Sequence, residues 1–89
     1  MIFQDKNISI LLIEDEEFDV RRVKKTVEPF SEKMEIVHFV SNGKAALEYL
    51  EENRNKIDVV IMDYQISGGL MGEDLIHKIK TIDSSIQII

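Results

Sequence analysis

Apolar residues fall in four short runs, each followed by a polar or acidic stretch. Ile8-Ser9-Ile10-Leu11-Leu12-Ile13 is β-branched and almost continuously apolar, which predicts a strand buried on both faces. Four acids, Glu14 to Glu17, end it. Val20, Val23, Val27 and Phe30 then recur at offsets of three, seven and ten, the stripe of a helix. Asp15, Glu16 and Glu17 suit its first turn, at the positive end of the helix dipole. Pro29 sets Glu28 as its last residue.

Glu35-Ile36-Val37-His38-Phe39-Val40 predicts a second strand, and Ser41-Asn42-Gly43 reads as a cap or turn. Ala46, Leu47 and Leu50 mark a short helix ending near Glu52, and Asn53 to Lys56 a polar loop. Ile57-Asp58-Val59-Val60-Ile61-Met62 predicts a third strand, apolar enough to be central, ending at Asp63. A loop with Gly68, Gly69 and Gly72 follows. Leu75, Ile76, Ile79 and Ile82 mark a third helix, broken at Asp83-Ser84-Ser85, and Ile86-Gln87-Ile88-Ile89 begins a fourth strand. The alternation βαβαβαβ predicts parallel strands joined by right-handed crossovers, with helices on both faces of the sheet.

At 89 residues the chain holds one domain with a modest core. A net charge of -6, from 17 acids against 11 bases, excludes a nucleic-acid surface, which needs clustered cations. The basic group Arg21, Arg22, Lys24 and Lys25 reads as the solvated face of the first helix. There is no cysteine, hence no disulfide or thiolate chemistry. The apolar runs fall far short of the roughly 20 residues that span a bilayer, and no signal-peptide pattern opens the chain. A cytoplasmic protein without a membrane partner is the expectation.

In an open parallel sheet, ligands bind beyond the carboxyl ends of the strands. The first strand ends there in Glu14 and Asp15, the third in Asp63. Adjacent parallel strands would bring these acids together from distant parts of the chain. Two carboxylates about 5 Å apart repel by roughly 3 kcal/mol at an effective dielectric near 20, so such a trio needs a reason to exist, and a hard divalent cation held by oxygen ligands is the natural one. Mg2+ takes one or two carboxylates together with waters and phosphate oxygens. Read separately, Glu14 and Asp15 would merely favour a helix N-terminus, and Asp63 would merely cap a turn.

Ile10-Leu11-Leu12-Ile13-Glu14-Asp15, Ser41-Asn42-Gly43-Lys44-Ala45-Ala46-Leu47 and Val59-Val60-Ile61-Met62-Asp63 stand in an order and spacing that together are specific. The chain resembles the receiver domain of two-component response regulators over essentially its whole length. The resemblance implies a flavodoxin-like doubly wound α/β sheet of order 2-1-3-4-5. Here it would be incomplete: residues 1–89 would be the N-terminal three quarters or so, lacking the fifth strand and last helices. It implies Asp63 as the phosphoacceptor, attacking a phosphohistidine or a small phosphodonor. Asp15 would be a direct Mg2+ ligand, with Glu14 direct or through water, Asp63 itself, and the backbone carbonyl of Gln65. The Gln65 side chain would face the phosphoryl group and influence its lifetime. The implied partner is a histidine kinase or histidine phosphotransfer protein. The implied role is a phosphoacceptor switch rather than an enzyme.

The chain departs from the family's pattern at Ser67, where many receivers carry proline, and in a loop about one residue longer before Gly72. The family's hydroxyl residue after the fourth strand and lysine after the fifth are expected to lie beyond Ile89. A fourth strand left as an edge would favour association, as a homodimer or by strand or helix exchange.

The rival readings are a non-catalytic receiver-like interaction module or a truncated fragment that no longer switches, and two enzymes. A haloacid dehalogenase-like phosphatase needs a second acid where Gln65 stands. A Rossmann oxidoreductase needs glycines where Glu14 to Glu17 stand. Gly68, Gly69 and Gly72 lack the spacing of a phosphate-binding loop. His38, His77, Met62, Met71, Tyr49 and Tyr64 read as surface or packing residues.

Overall fold

The computed structural model describes residues 7–14, 17–62 and 72–89. Four strands form, β1 (Ile8–Ile13), β2 (Met34–Val40), β3 (Val59–Met62) and β4 (Gln87–Ile88). They alternate with three helices, α1 (Glu17–Val27), α2 (Gly43–Glu52) and α3 (Gly72–Ile82). All strand pairs are parallel, and the order across the sheet is β2-β1-β3-β4. This is the flavodoxin-like α/β arrangement, incomplete, that the alternation and the resemblance led us to expect.

The core follows from the two-residue side-chain period of the strands. Leu11 and Ile13 point to one face of β1, where they pack with Val60, Ala46 and Leu50 of α2, Leu75 and Ile79 of α3, and Ile57 and Ile86. Ile10 and Leu12 lie on the other face, and Val20 of α1 is buried as well. β1 is thus covered on both sides, which explains why its sequence shows almost no polar alternation.

Local chemistry sets the element ends. The Asn42 side chain caps α2 by accepting from Ala45 N–H at 2.8 Å. At its other end, Asn53 donates to the Tyr49 carbonyl through both its backbone N–H (2.9 Å) and its side-chain amide (2.8 Å). Asn55, in the loop that follows, takes a positive φ of 66°, which asparagine tolerates better than most residues. Lys80 Nζ donates to the carbonyls of Ile86 (2.5 Å) and Ser84 (3.3 Å), tying α3 to the approach of β4.

Two sequence expectations change. Phe30 does not continue the α1 stripe: α1 ends at Val27, and Glu28–Phe30 form a 3-10 turn with Pro29 in its opening positions. The tighter turn rotates Phe30 off the buried face, and it is 54% exposed. β3 begins at Val59 rather than Ile57, and Asp58 joins the sheet just before it with its side chain as well as its backbone: its Oδ2 accepts from Ser9 N–H at 2.8 Å. The exposed positions of Arg21, Arg22, Lys24 and Lys25 agree with a solvated helix face.

Candidate functional site

The ends of three strands come level at one edge of the sheet. Ile13 is in register with Val40 of β2 on one side and with Met62 of β3 on the other. Beyond Ile13, the Glu14 N–H donates to the Val40 carbonyl at 3.0 Å, so β1 stays fixed to β2 through the first acidic residue. Beyond β4, Ile89 N–H donates to Val60 O at 2.9 Å and Met62 N–H donates to Ile89 O at 3.1 Å, which fixes the end of β3 on its other side. In the chain, Ile13 is followed by Glu14-Asp15 and Met62 by Asp63. Parallel pairing of two apolar strands therefore ends, on both, at the residues immediately before the acids.

Of the expected site residues, Glu14 alone lies among the described ones, and it is half-buried. Asp15, Asp63 and Gln65 lie outside the described residues, as do Glu16, Tyr64, Ser67, Gly68, Gly69 and Met71. Among the described residues, no three His, Asp or Glu side chains gather as a metal site. By alternation Glu14 shares the face of Ile10 and Leu12. It borders a groove of about 340 Å3 together with Arg22, Val23, Thr26, Val27 and Ile61. The groove runs between α1 and β3, with an acid and a base on its rim and apolar walls.

The donor types suit a hard cation. Carboxylates and a backbone carbonyl are the oxygen ligands that Mg2+ accepts, and the set contains no nitrogen or sulfur donor that would favour a softer metal. Glu14 supplies the one observation of this structure that bears on the fit. It is a half-buried carboxylate whose backbone is held at the carboxyl end of a central strand, where open α/β sheets bind ligands.

Two contacts near β2 were not legible from sequence. His38 and Tyr49 stack, with ring centroids 4.3 Å apart and planes 9° from parallel. Lys24 Nζ sits 4.9 Å from the centre of the Phe39 ring, which places part of the basic face of α1 over an aromatic residue. Neither bears on the acidic site. His38 packs in the manner of a structural residue, as its lack of a ligand partner in the sequence suggests. His77 is exposed on α3. No helix among the described residues is long and apolar enough to cross a membrane.

Comparison with known proteins bears on the fold and the family. A receiver-domain protein from Clostridium thermocellum has the same fold with a TM-score of 0.77 and 31% identity, over 91% of this chain and 61% of that one. The response regulator PhyR from Brucella abortus matches with a TM-score of 0.77 and 26% identity, over 94% of this chain and 32% of its own. The signal receiver domain of a modulated diguanylate cyclase from Desulfovibrio desulfuricans shares the fold at a TM-score of 0.74 and 20% identity, over 92% of this chain and 62% of its own. The chain thus spans less than two thirds of each of these structures. Comparison with curated protein sequences found no match. The response regulator receiver domain model matches residues 10–89, which takes in all four strands but for the first two residues of β1. With strand order, level strand ends and family match in agreement, the chain belongs to the response regulator receiver domain family, whose members act in phosphorylation-based signalling and generally as signalling modules rather than enzymes.

Proposed function

We propose that this chain receives a phosphoryl group on Asp63 from a histidine kinase or a histidine phosphotransfer protein, and passes the signal to a downstream partner. The observation that carries the reading is the level ending of β1 and β3 at Ile13 and Met62, directly before Glu14-Asp15 and Asp63 in the chain. In the transfer, an Asp63 carboxylate oxygen attacks the phosphorus and a P–O bond forms. The P–N bond to the donor imidazole breaks, its electron pair returns to that nitrogen, and the nitrogen takes a proton from solvent water to leave a neutral histidine. Glu14, Asp15, Asp63 and the Gln65 carbonyl would hold Mg2+, which when bound offsets the negative charge gathered there.

The residues of the chain itself position and prepare. The Glu14–Val40 backbone bond holds Glu14 at the end of β1 beside β2. A carboxylate nucleophile carries no proton to remove, so Asp63 would attack without a general base. The Gln65 side chain would set how readily water reaches the aspartyl phosphate.

The test is incubation of the full protein with Mg2+ and acetyl phosphate, followed by intact mass. A gain of one phosphoryl mass in the wild type, lost in Asp63→Asn, is expected. A gain that persists in Asp63→Asn, or none in the wild type, overturns the assignment.

A further inference from the structure

The outer surface between α2 and α3 carries a groove of about 670 Å3. Leu47 and Ile82 form its apolar floor: both pack against the core yet remain half-buried. One wall is the α2 face bearing Glu48, Glu51 and Glu52; the other is the α3 face with His77 and Lys78.

The acidic wall is unfavourable by the rules of an isolated helix. Glu48 and Glu51, and Glu48 and Glu52, are like-charged neighbours one turn apart, which disfavours the helix, and Lys44, one turn before Glu48, opposes this for that residue alone. Glu51 and Glu52 also sit at the C-terminal end of α2, where the dipole disfavours anions and where the helix has no basic residue in its last turn. Arg54 relieves Glu51 alone, through an exposed ion pair. Among the described residues, neither Glu48 nor Glu52 has an ion-pair partner. Three carboxylates thus line an apolar-floored channel where α2 itself would be better served by lysines.

We infer that the α2–α3 groove docks an amphipathic α-helix of a partner protein, with an apolar stripe on Leu47 and Ile82 and Lys or Arg along the flank facing Glu48 and Glu52. The space between two surface helices takes the ridge of a third, and a helix laid in a groove with flanking charge pairs is a common recognition mode. Charge decides the polarity of the partner. A second copy of this chain has a net charge of -6, and its basic helix α1 already turns its apolar stripe inward through the buried Val20, so it offers bases without the apolar stripe that the groove needs. A basic helix removes the like-charge and dipole penalties together. The inference is independent of phosphorylation at Asp63, because it uses only residues of α2 and α3.

The full chain would be titrated at low salt with a synthetic helical peptide carrying leucines at three- and four-residue spacing and lysines along one flank. A second peptide would carry glutamates in place of the lysines. Saturable binding of the lysine peptide is expected, with amide shifts centred on Leu47, Glu48, Thr81 and Ile82 and no binding of the glutamate peptide. The double variant Glu48→Lys/Glu52→Lys should weaken binding tenfold or more, whereas Glu32→Lys/Glu35→Lys, with the same change in net charge, should leave it within twofold. Because lysine at the end of α2 favours the helix, the first variant is expected to fold, and circular dichroism checks this. Absence of binding, equal weakening by the two double variants, or shifts centred elsewhere overturns the inference. Self-association that Glu48→Lys/Glu52→Lys abolishes would assign the groove to a second copy and overturn it as well.

Discussion

Ser9 and Asp58 bind each other twice. The Asp58 N–H donates to the Ser9 carbonyl at 2.9 Å, and the Ser9 N–H donates to the Asp58 carboxylate at 2.8 Å. Asp58 also presents its own carbonyl to Gln87 N–H at 3.0 Å. One acidic residue therefore joins β1, β3 and β4 at the end of the sheet opposite the acidic strand ends. The register that levels Ile13 with Met62 is set in part by this clasp, since a one-residue slip would move every side chain to the wrong face.

Asp58→Ala is expected to destabilise the fold by about 1–2 kcal/mol, because it leaves a partly buried Ser9 N–H without its acceptor. Asp58→Asn, which keeps an acceptor oxygen, should cost less. Urea unfolding followed by far-ultraviolet circular dichroism measures both; equal midpoints for the two variants would remove the clasp from the account of register.

Asn42 caps α2 through a single 2.8 Å bond to Ala45 N–H. Asn42→Ala should cost roughly 1 kcal/mol and Asn42→Asp only a few tenths. Because α2 carries Ala46 and Leu50 into the core, the loss should appear as a lower denaturation midpoint with an unchanged denaturant slope.

Among the described residues, Asp83 is a titratable group whose pKa is displaced from its ordinary value. Its carboxyl is held below the ordinary value of 3.8, first by the Ser85 hydroxyl (2.6 Å) and then by the Ser85 N–H (3.0 Å); desolvation opposes them, and Lys80 and Arg54 add weaker attraction. A folded pKa below the unfolded one stabilises the fold at pH above the unfolded value, and the contribution disappears as pH falls through the folded value. The effect of this turn is therefore confined to acid, below about pH 4. Ser85→Ala should raise the Asp83 pKa toward 3.8, read from the side-chain carbonyl shift in a carbon-detected titration. An unmoved titration would show that the backbone bond alone holds it.

The elements were legible in the sequence because burial enforces periodicity: Leu75 and Ile79 are buried where the helical stripe put them, and Leu11, Leu12 and Ile13 where a doubly covered strand required. What escaped depends on partners distant in the chain. Nothing near Asp58 announces Ser9, 49 residues away. The His38–Tyr49 stack depends on a bulge: Ile10 pairs with Ile36 but Leu11 with His38, so Val37 is passed over. That single extra residue turns His38 to the α2 face and Phe39 to the α1 face. Of the candidate site, Glu14 was legible as the residue that follows the first strand. It is the one site acid whose surroundings the described residues define.

The Mg2+ assignment separates the two members of the acidic pair. Glu14 is tied to β2 through its backbone and lines the same α1 groove as Arg22. Asp15 follows it and is proposed as the direct ligand. Removing a direct carboxylate ligand should cost more than removing one that acts at a distance. Asp15→Asn is therefore expected to weaken Mg2+ binding by tenfold or more, equivalent to about 1.4 kcal/mol, and Glu14→Gln by less. Isothermal titration of the full protein with Mg2+, with Asp63→Asn as a third variant, makes the comparison. If Glu14→Gln weakens binding as much as Asp15→Asn, the two carboxylates share the ion equally. If neither changes it, the ion is held elsewhere, and the three acids do not form the proposed centre.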